Sequence, residues 1–159
     1  MIKRLLRSVR EFKKPSILTL LLMIGEVIIE VFIPFITADL VNMIKKGVDI
    51  DFVVKQGLLL VLMAFLSLTC GGLAAFTAAK SSSGFARNLR CDMFNAIQNY
   101  SFENVDKFSS ASLVTRMTTD VGNVQMSYQM LIRIAVRSPL MFVFSIIMAF
   151  VMGGTLALT

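Results

Sequence analysis

Two acidic side chains lie within an otherwise apolar stretch near the start of the chain. Glu26 and Glu30 interrupt the run formed by residues 17–37, and their four-residue spacing places both carboxylates on one face of a helix. Because an ionised carboxylate is costly in lipid, this face should contact protein or a water-filled cavity. Two chemistries suit such a pair, namely attraction of a cationic substrate and transfer of protons. The structural alternative is that both carboxylates hydrogen-bond neighbouring helices.

Other residues that commonly carry chemistry are absent or poorly placed. The sequence has no histidine, which removes the commonest metal ligand and general base. Cys70 and Cys91 lie 21 positions apart on what the pattern predicts to be one helix, so about 31 Å separates them and no disulfide can join them within the chain. Neither a GxxxxGK[ST] phosphate loop nor a cysteine and histidine spacing typical of metal sites occurs. We therefore expect no catalysis by this chain alone, and no cofactor or metal bound by it.

The composition indicates a membrane protein that would position these residues on long helices. Hydrophobic residues make up 56% of the 159 residues, and the mean hydropathy of +0.76 is too high for an ordinary soluble domain. Three apolar runs are each long enough to cross a hydrocarbon core of about 30 Å. The sequence therefore predicts an all-α membrane protein with transmembrane spans at about residues 16–38, 57–79 and 138–158.

The charges are distributed by membrane side. The net charge is +6, and basic residues are concentrated before the first span and in the connection formed by residues 80–137. The positive-inside tendency therefore places the N-terminus and this long connection in the cytoplasm, and the short connection and the C-terminus outside. This pattern also argues against a nucleic-acid-binding stripe. Residues 1–14 have apolar and basic sides and are predicted to form an amphipathic helix in the cytoplasmic interface.

The long connection between the second and third spans is predicted to be a helical hairpin. Apolar residues recur at helical spacing on both of its arms, and the first arm continues to about residue 100, some 30 Å beyond the bilayer. Residues 101–121 form a polar, serine-rich tip between the arms. In the second span, Gly71, Ala75, Ala79 and Ser83 form a row of small residues that would let another helix approach closely. Ser112 is the predicted N-cap of the returning helix.

The tip carries a specific resemblance to a known family. The segment FENVDKFSSASLVTRMTTDV, residues 102–121, resembles the corresponding part of the transmembrane domain of ABC exporters, especially the bacterial multidrug type that often works as a heterodimer. The family pattern is an aromatic-acidic segment, a small-residue turn, a leucine, an arginine and an aspartate-valine pair. The residues that meet it are Phe102, Glu103, Phe108, Leu113, Arg116, Asp120 and Val121. The resemblance extends over essentially the whole chain, although Ala111 stands where many members have glycine.

The resemblance implies a role for the tip that the residue pattern alone does not give. It implies that residues 102–110 are the first coupling helix, which sits on the nucleotide-binding domain. The residues expected to make this contact are Phe102, Glu103, Asn104, Val105, Asp106, Lys107 and Phe108. It also implies that Arg116 and Asp120 brace the base of the hairpin, for which the local alternative is a solvated ion pair four residues apart.

The resemblance further implies a larger assembly in the bacterial plasma membrane. Family members have six spans per half, a nucleotide-binding domain that binds ATP and Mg, and a second half-transporter as partner. With three spans and no phosphate loop, this chain is interpreted as an incomplete subunit of an exporter for drugs, lipids or other amphipathic substrates. The candidate residues of the substrate cavity are Glu26, Glu30, Met141 and Phe142.

A second hypothesis from another class is a small membrane adaptor, complete in itself, whose hairpin tip docks a cytosolic partner without transport. The downstream gene sequence distinguishes the two hypotheses. Three further spans and a phosphate loop would favour the exporter, whereas a stop codon after residue 159 with stable expression would favour the adaptor.

Overall fold

The computed structural model describes residues 8–99 and 109–153, and within these ranges the regular structure is entirely helical. The elements, in chain order, are a 3-10 turn (Arg10–Phe12), α1 (Lys13–Lys45), α2 (Ile50–Gln98), α3 (Ser110–Thr115), a π-helical segment (Arg116–Asp120) and α4 (Val121–Gly153). Three stretches are long and apolar enough to cross a membrane: Arg10–Lys45, Ile50–Gln98 and Ala111–Val151. This architecture confirms the all-α fold class with three transmembrane helices.

The length of α2 shows that it continues well past a bilayer. Its 49 residues make a helix of about 74 Å at 1.5 Å per residue, whereas the hydrocarbon core is about 30 Å thick. The C-terminal part of α2, after Lys80, leaves the apolar section and extends for about 30 Å. The combined stretch of α3, the π-helical segment and α4 returns along it. The two stretches together form the stalk of the hairpin.

A tight turn joins α1 to α2 at the opposite end of the bundle. Gly47 has a φ of +77°, a left-handed conformation that a residue with a Cβ adopts only with strain. Its amide donates to the carbonyl of Ile44 at 3.1 Å, which closes the C-terminus of α1. Because only a few residues separate the helices, α1 and α2 pack as antiparallel neighbours.

The buried face of α2 differs from the predicted row of small residues. Ala79 and Ser83 of that row are exposed. The small residues that are buried are Ser67, Ala74, Ala78, Ser81, Ser82, Gly84 and Ala86. Four residues turn an α-helix by more than one full turn, so a row with a strict four-residue step winds around the helix. Alternating steps of three and four residues keep one face toward α1, so Ala79 and Ser83 lie off this face, and the approach of another helix to them stays a prediction.

The N-terminal segment packs on the stalk through an apolar cluster. Its buried members are Val9, Phe85, Ala86, Leu89 and Val121, with Phe12, Met93, Val124 and Tyr128 packed around them. The rings of Phe85 and Tyr128 lie 4.7 Å apart between centroids. The ring of Phe12 occupies the space where a Cβ of residue 84 would be, so Gly84 is required for this close approach.

Polar contacts fix the same segment to α2. Ser8 Oγ donates to Asp92 Oδ2 at 2.9 Å, and Arg10 pairs with Asp92 Oδ1 at 2.8 Å. Asn88 Nδ2 donates to the backbone carbonyl of Ser8 at 3.0 Å. Residues 1–7 of the predicted interfacial helix lie outside the described residues, and residues 8–12 form turns that rest on the hairpin.

The returning helix begins earlier than the sequence pattern indicates. Ser109, rather than Ser112, is the N-cap of α3, and its Oγ accepts a hydrogen bond from the amide of Ser112 at 3.3 Å. Serine stands at positions 109, 110 and 112, and each of them satisfies the preference for an N-cap hydroxyl. Residue preference therefore could not select between these positions, which differ only in backbone conformation.

Candidate functional site

Three charged side chains meet between α1 and α4. Arg137 Nη1 donates to Glu26 Oε1 at 3.0 Å. Arg137 Nη2 donates to both carboxylate oxygens of Glu30 at 2.9 Å. One guanidinium therefore binds two carboxylates that lie one helical turn apart, and it joins α4 to α1. We call Glu26, Glu30 and Arg137 the charged triad.

Helix α2 contributes the space that the charged triad needs. A Cβ at Gly71 would lie 2.7 Å from Glu26 Oε1, which is closer than real Cβ atoms approach an oxygen. The absence of a side chain at Gly71 therefore lets the Glu26 carboxylate sit against α2 and reach Arg137. Three helices thus meet at one carboxylate, although only two of them supply charged groups.

The charged triad is not electrically balanced. Two carboxylates and one guanidinium leave a formal charge of −1 with all three groups ionised. Glu26 is 8% exposed, and its second oxygen, Oε2, is buried without a hydrogen-bond partner in the described part of the chain. A buried charge without full compensation attracts a further cation. The geometry therefore combines the structural alternative, a hydrogen bond to a neighbouring helix, with a residual capacity to attract positive charge.

Arg137 was assigned by sequence to the cytoplasmic connection, and its pairing with the acids was missed. One signal could have identified it. Two acids inside an apolar span require a cation at similar depth, and Lys80 and Arg137 are the basic residues at the inner boundaries of the second and third spans. Of these, arginine offers the fork of donors that binds two carboxylates at once.

The predicted cavity residues are brought together only in part. Glu30 and Met141 line one cavity of about 240 Å³ between α1 and α4, together with Val31, Pro34, Phe35, Ser145 and Met148. Glu26 is buried and does not line this cavity. Phe142 is 68% exposed on the outer surface of α4 and does not line this cavity.

A series of hydroxyl groups that the sequence analysis did not identify joins the three long helices on the hairpin side of the charged triad. Ser16 Oγ hydrogen-bonds both Ser81 Oγ and Tyr128 Oη, the latter at 2.8 Å. Thr19 Oγ1 donates to Thr77 Oγ1 at 2.8 Å. Single serines and threonines in apolar helices carry no sequence period of their own, so only the packing of the helices brings these hydroxyls together.

The hairpin tip lies partly outside the described residues. This applies to all seven residues expected to contact a nucleotide-binding domain: Phe102, Glu103, Asn104, Val105, Asp106, Lys107 and Phe108. Arg116 and Asp120 are the first and last residues of the π-helical segment. Arg90 of α2 donates through Nε to the carbonyl of Met117 in this segment at 3.4 Å. Such π-helical insertions are frequent at functional sites, and the bracing role of Arg116 and Asp120 stays a prediction.

Comparison with known proteins gives consistent matches. The family model described as the ABC transporter transmembrane region matches residues 16–159. The chain is 32% identical over 132 residues to the uncharacterized ABC transporter ATP-binding protein YfiB of Bacillus subtilis, which is 83% of this chain and 23% of that protein. It is 28% identical over 151 residues to the uncharacterized ABC transporter ATP-binding protein MT1311 of Mycobacterium tuberculosis, or 94% of this chain and 26% of that protein. The chain thus spans about a quarter of the length of these relatives.

Proposed function

Because this chain belongs to the ABC transporter transmembrane region family, we propose that it forms the first membrane-spanning part of an ATP-driven exporter and transmits the force of ATP hydrolysis into the membrane. The observation that carries this proposal is the length of α2. A helix of 49 residues crosses the bilayer and continues as a stalk for about 30 Å. A rigid stalk converts movement at its tip into movement of the membrane helices.

The tip is the proposed contact with a nucleotide-binding domain. Residues 102–108 connect the two arms of the hairpin, so a domain that closes on ATP and Mg would push on both arms together. The relatives of this chain are named as ATP-binding proteins, and the matched part covers about a quarter of each. Their remaining length leaves room for a domain of that kind. A second half-transporter would complete the path through the membrane.

The proposed topology places the N-terminus and the hairpin in the cytoplasm of a bacterial cell and the α1–α2 turn outside. The apolar cluster supports this orientation, because it fixes the N-terminal segment to the stalk on the same side of the membrane. The excess of basic residues in both segments agrees with the positive-inside tendency.

The proposed substrate is an amphipathic compound that enters between the membrane helices. The cavity with Glu30 and Met141 supports this class, since it combines apolar walls with one acidic group from a triad of net negative charge. A cationic drug would match these features. Catalysis of ATP hydrolysis would reside in the nucleotide-binding domain, while this chain would supply the passage and the lever.

The test is to uncouple the tip from the membrane helices in the complete transporter. We expect Asp106→Ala combined with Phe108→Ala to abolish substrate-stimulated ATPase activity and export while leaving the amount of protein in the membrane unchanged. The matched control is Asp51→Ala at the opposite end of α2, where the ion pair with Lys55 is exposed. Normal transport by the tip variant would contradict the proposal.

A further inference from the structure

A second cavity opens on the hairpin side of the charged triad and has a different chemistry. It is an open groove of about 500 Å³ between α1 and α4, with Met126, Met130 and Ile134 more than half exposed, and its volume is within the range of small-molecule sites. Its lining residues are Met23, Met126, Gln129, Met130, Arg133, Ile134 and Arg137. The polar groups in this set are one amide and two guanidiniums, and no carboxylate is among them. The cavity therefore presents hydrogen-bond donors and positive charge within apolar walls.

Arg133 is the charged group of this cavity that is available to a ligand. Within residues 8–99 and 109–153 it makes no hydrogen bond or ion pair, and its Nε is buried without a partner. Arg137, by contrast, is held by Glu26 and Glu30. A half-buried guanidinium with no partner is an unfavourable arrangement unless an anion or water compensates it. The position of Arg133 thus indicates a ligand with a negative charge.

Gln129 adds a neutral donor to the same wall. Its Oε1 accepts a hydrogen bond from Ser82 Oγ at 3.4 Å, so the amide NH2 group remains for another acceptor. Gln129 and Arg133 are four residues apart on α4 and therefore share one face of the helix. An amide and a guanidinium at this spacing provide donors for the several oxygens of a carboxylate, phosphate or sulfate.

The carboxylates of the charged triad do not line the second cavity. The surplus negative charge of the triad is on the carboxylates, and neither Glu26 nor Glu30 lines this cavity. Arg137 both lines the cavity and contacts the two acids, so the guanidinium stands between them and a ligand. The charged groups that line the cavity are therefore the two guanidiniums, of which Arg137 is paired with carboxylates and Arg133 is not.

The apolar part of the lining determines the rest of the ligand. Methionine side chains are flexible and polarisable, so they adapt to chains of varied shape. Met23 contributes from α1, and Met126, Met130 and Ile134 contribute from α4. We propose that this cavity binds an amphipathic anion, with its headgroup on Arg133 and Gln129 and its alkyl chain along the methionines. This site is separate from the acidic cavity of the proposed export function and does not rest on that function.

The experiment measures binding by the complete transporter in phosphatidylcholine nanodiscs, with empty nanodiscs as the correction for partitioning. The probes are isotope-labelled dodecyl phosphate and, as the cation of equal chain length, dodecyltrimethylammonium. We expect saturable binding of dodecyl phosphate only. Arg133→Gln should weaken this binding about tenfold, since a hydrogen-bonded charge pair is lost. Arg87→Gln removes an equal charge from an exposed position of α2 and should leave the dissociation constant unchanged.

Two further variants keep the result decisive. Arg133→Lys retains the charge without the fork of donors and should bind with intermediate affinity. Ile134→Trp places a bulkier side chain on the cavity lining and should weaken binding while Arg133 is intact. This variant tests the proposal if Arg133→Gln loses helical content by circular dichroism. Equal binding by wild type, Arg133→Gln and Ile134→Trp would overturn the proposal. Equal affinity for dodecyltrimethylammonium would overturn it as well.

The natural source of the anion is distinguished by a competition arm. If the site holds a lipid headgroup, nanodiscs that contain phosphatidylglycerol should weaken the apparent binding of dodecyl phosphate to wild type and leave the remaining binding of Arg133→Gln unchanged. If the ligand is a free amphiphile, phosphatidylglycerol should have no such effect. Either outcome supports an anion site and identifies its source.

Discussion

Arg137 Nη2 lies 2.9 Å from both carboxylate oxygens of Glu30, so one nitrogen of α4 is shared by two oxygens of α1. The side chains of Arg137 and Glu30 are 36% and 26% exposed. This contact lies in a part of the chain that is otherwise apolar, where an unpaired acid would face lipid. The pairing accounts for how a span with two glutamates can remain in a membrane, since both acids bind the same guanidinium.

Removal of Arg137 should destabilise the bundle because two acids would be left without a cation. We expect Arg137→Gln to lower the free energy of unfolding by about 3 kcal/mol, at the low end for a broken buried ion pair because the site is partly exposed. The measurement is chemical unfolding in detergent micelles followed by circular dichroism. In the background Glu26→Gln with Glu30→Gln, the same change should cost much less. Equal costs in both backgrounds would contradict the charged triad as a unit.

A methyl group at Gly71 should disturb the charged triad from the α2 side. The added Cβ would lie 2.7 Å from Glu26 Oε1, so the carboxylate must move away from Arg137. We expect Gly71→Ala to destabilise the chain by about 1 to 3 kcal/mol. Gly72 is the matched control, because a Cβ there meets nothing within 4 Å. Gly72→Ala should be neutral or stabilising by up to about 1 kcal/mol. The same unfolding assay compares them, and equal effects would disprove the role given to Gly71.

Phe12 and Gly84 should behave as a coupled pair in the attachment of the N-terminal segment. Gly84→Ala places a Cβ in the space of the Phe12 ring, so the segment should detach from α2. We expect faster tryptic cleavage after Lys13, measured by mass spectrometry of timed digests. Gly122→Ala, whose Cβ would meet nothing within 4 Å, is the control. With Phe12→Ala already present, Gly84→Ala should add little, and an undiminished effect there would refute the coupling.

The large features of this fold could be predicted because they depend on composition and period. Long charge-free runs determine the second and third spans, and apolar residues at steps of three and four determine the hairpin arms. The spacing of Glu26 and Glu30 was sufficient to place both on one face of α1. These inferences concern single helices, and each required only local sequence.

The other features of the fold and the site depend on which helices contact each other. The local sequence does not contain this information. As a charged residue, Arg137 is assigned to the connection by the sequence pattern. Its long side chain, however, reaches a depth in the membrane that differs from that of its backbone. Gly71 and Gly84 each accommodate one side chain from elsewhere in the chain, Glu26 and Phe12, and neither partner has a sequence signal that points to a glycine. Met141 and Phe142 are both predicted to line the substrate cavity, but adjacent residues on a helix point about 100° apart.

The acidic group of the proposed substrate cavity should influence which compounds are exported. Glu30→Gln removes one negative charge and leaves a neutral triad, so the attraction for cations should fall. In the complete transporter, we expect export of a cationic dye to decrease several-fold relative to export of a neutral amphipathic dye of similar size. Asp51→Asn, which removes an acid from the exposed pair with Lys55, is the control. An equal decrease for both dyes would indicate a general defect and would count against cation selection by Glu30.

The central claim is that the hairpin tip, and not the α1–α2 turn, contacts a nucleotide-binding domain. The most direct measurement places a photo-crosslinking amino acid at Lys107 of the tip, or at Lys46 beside the turn, in the complete transporter in native membranes. After illumination, adducts with the nucleotide-binding domain are identified by mass spectrometry. We expect adducts from position 107 and none from position 46. Adducts from position 46, or from neither position, would contradict the claim.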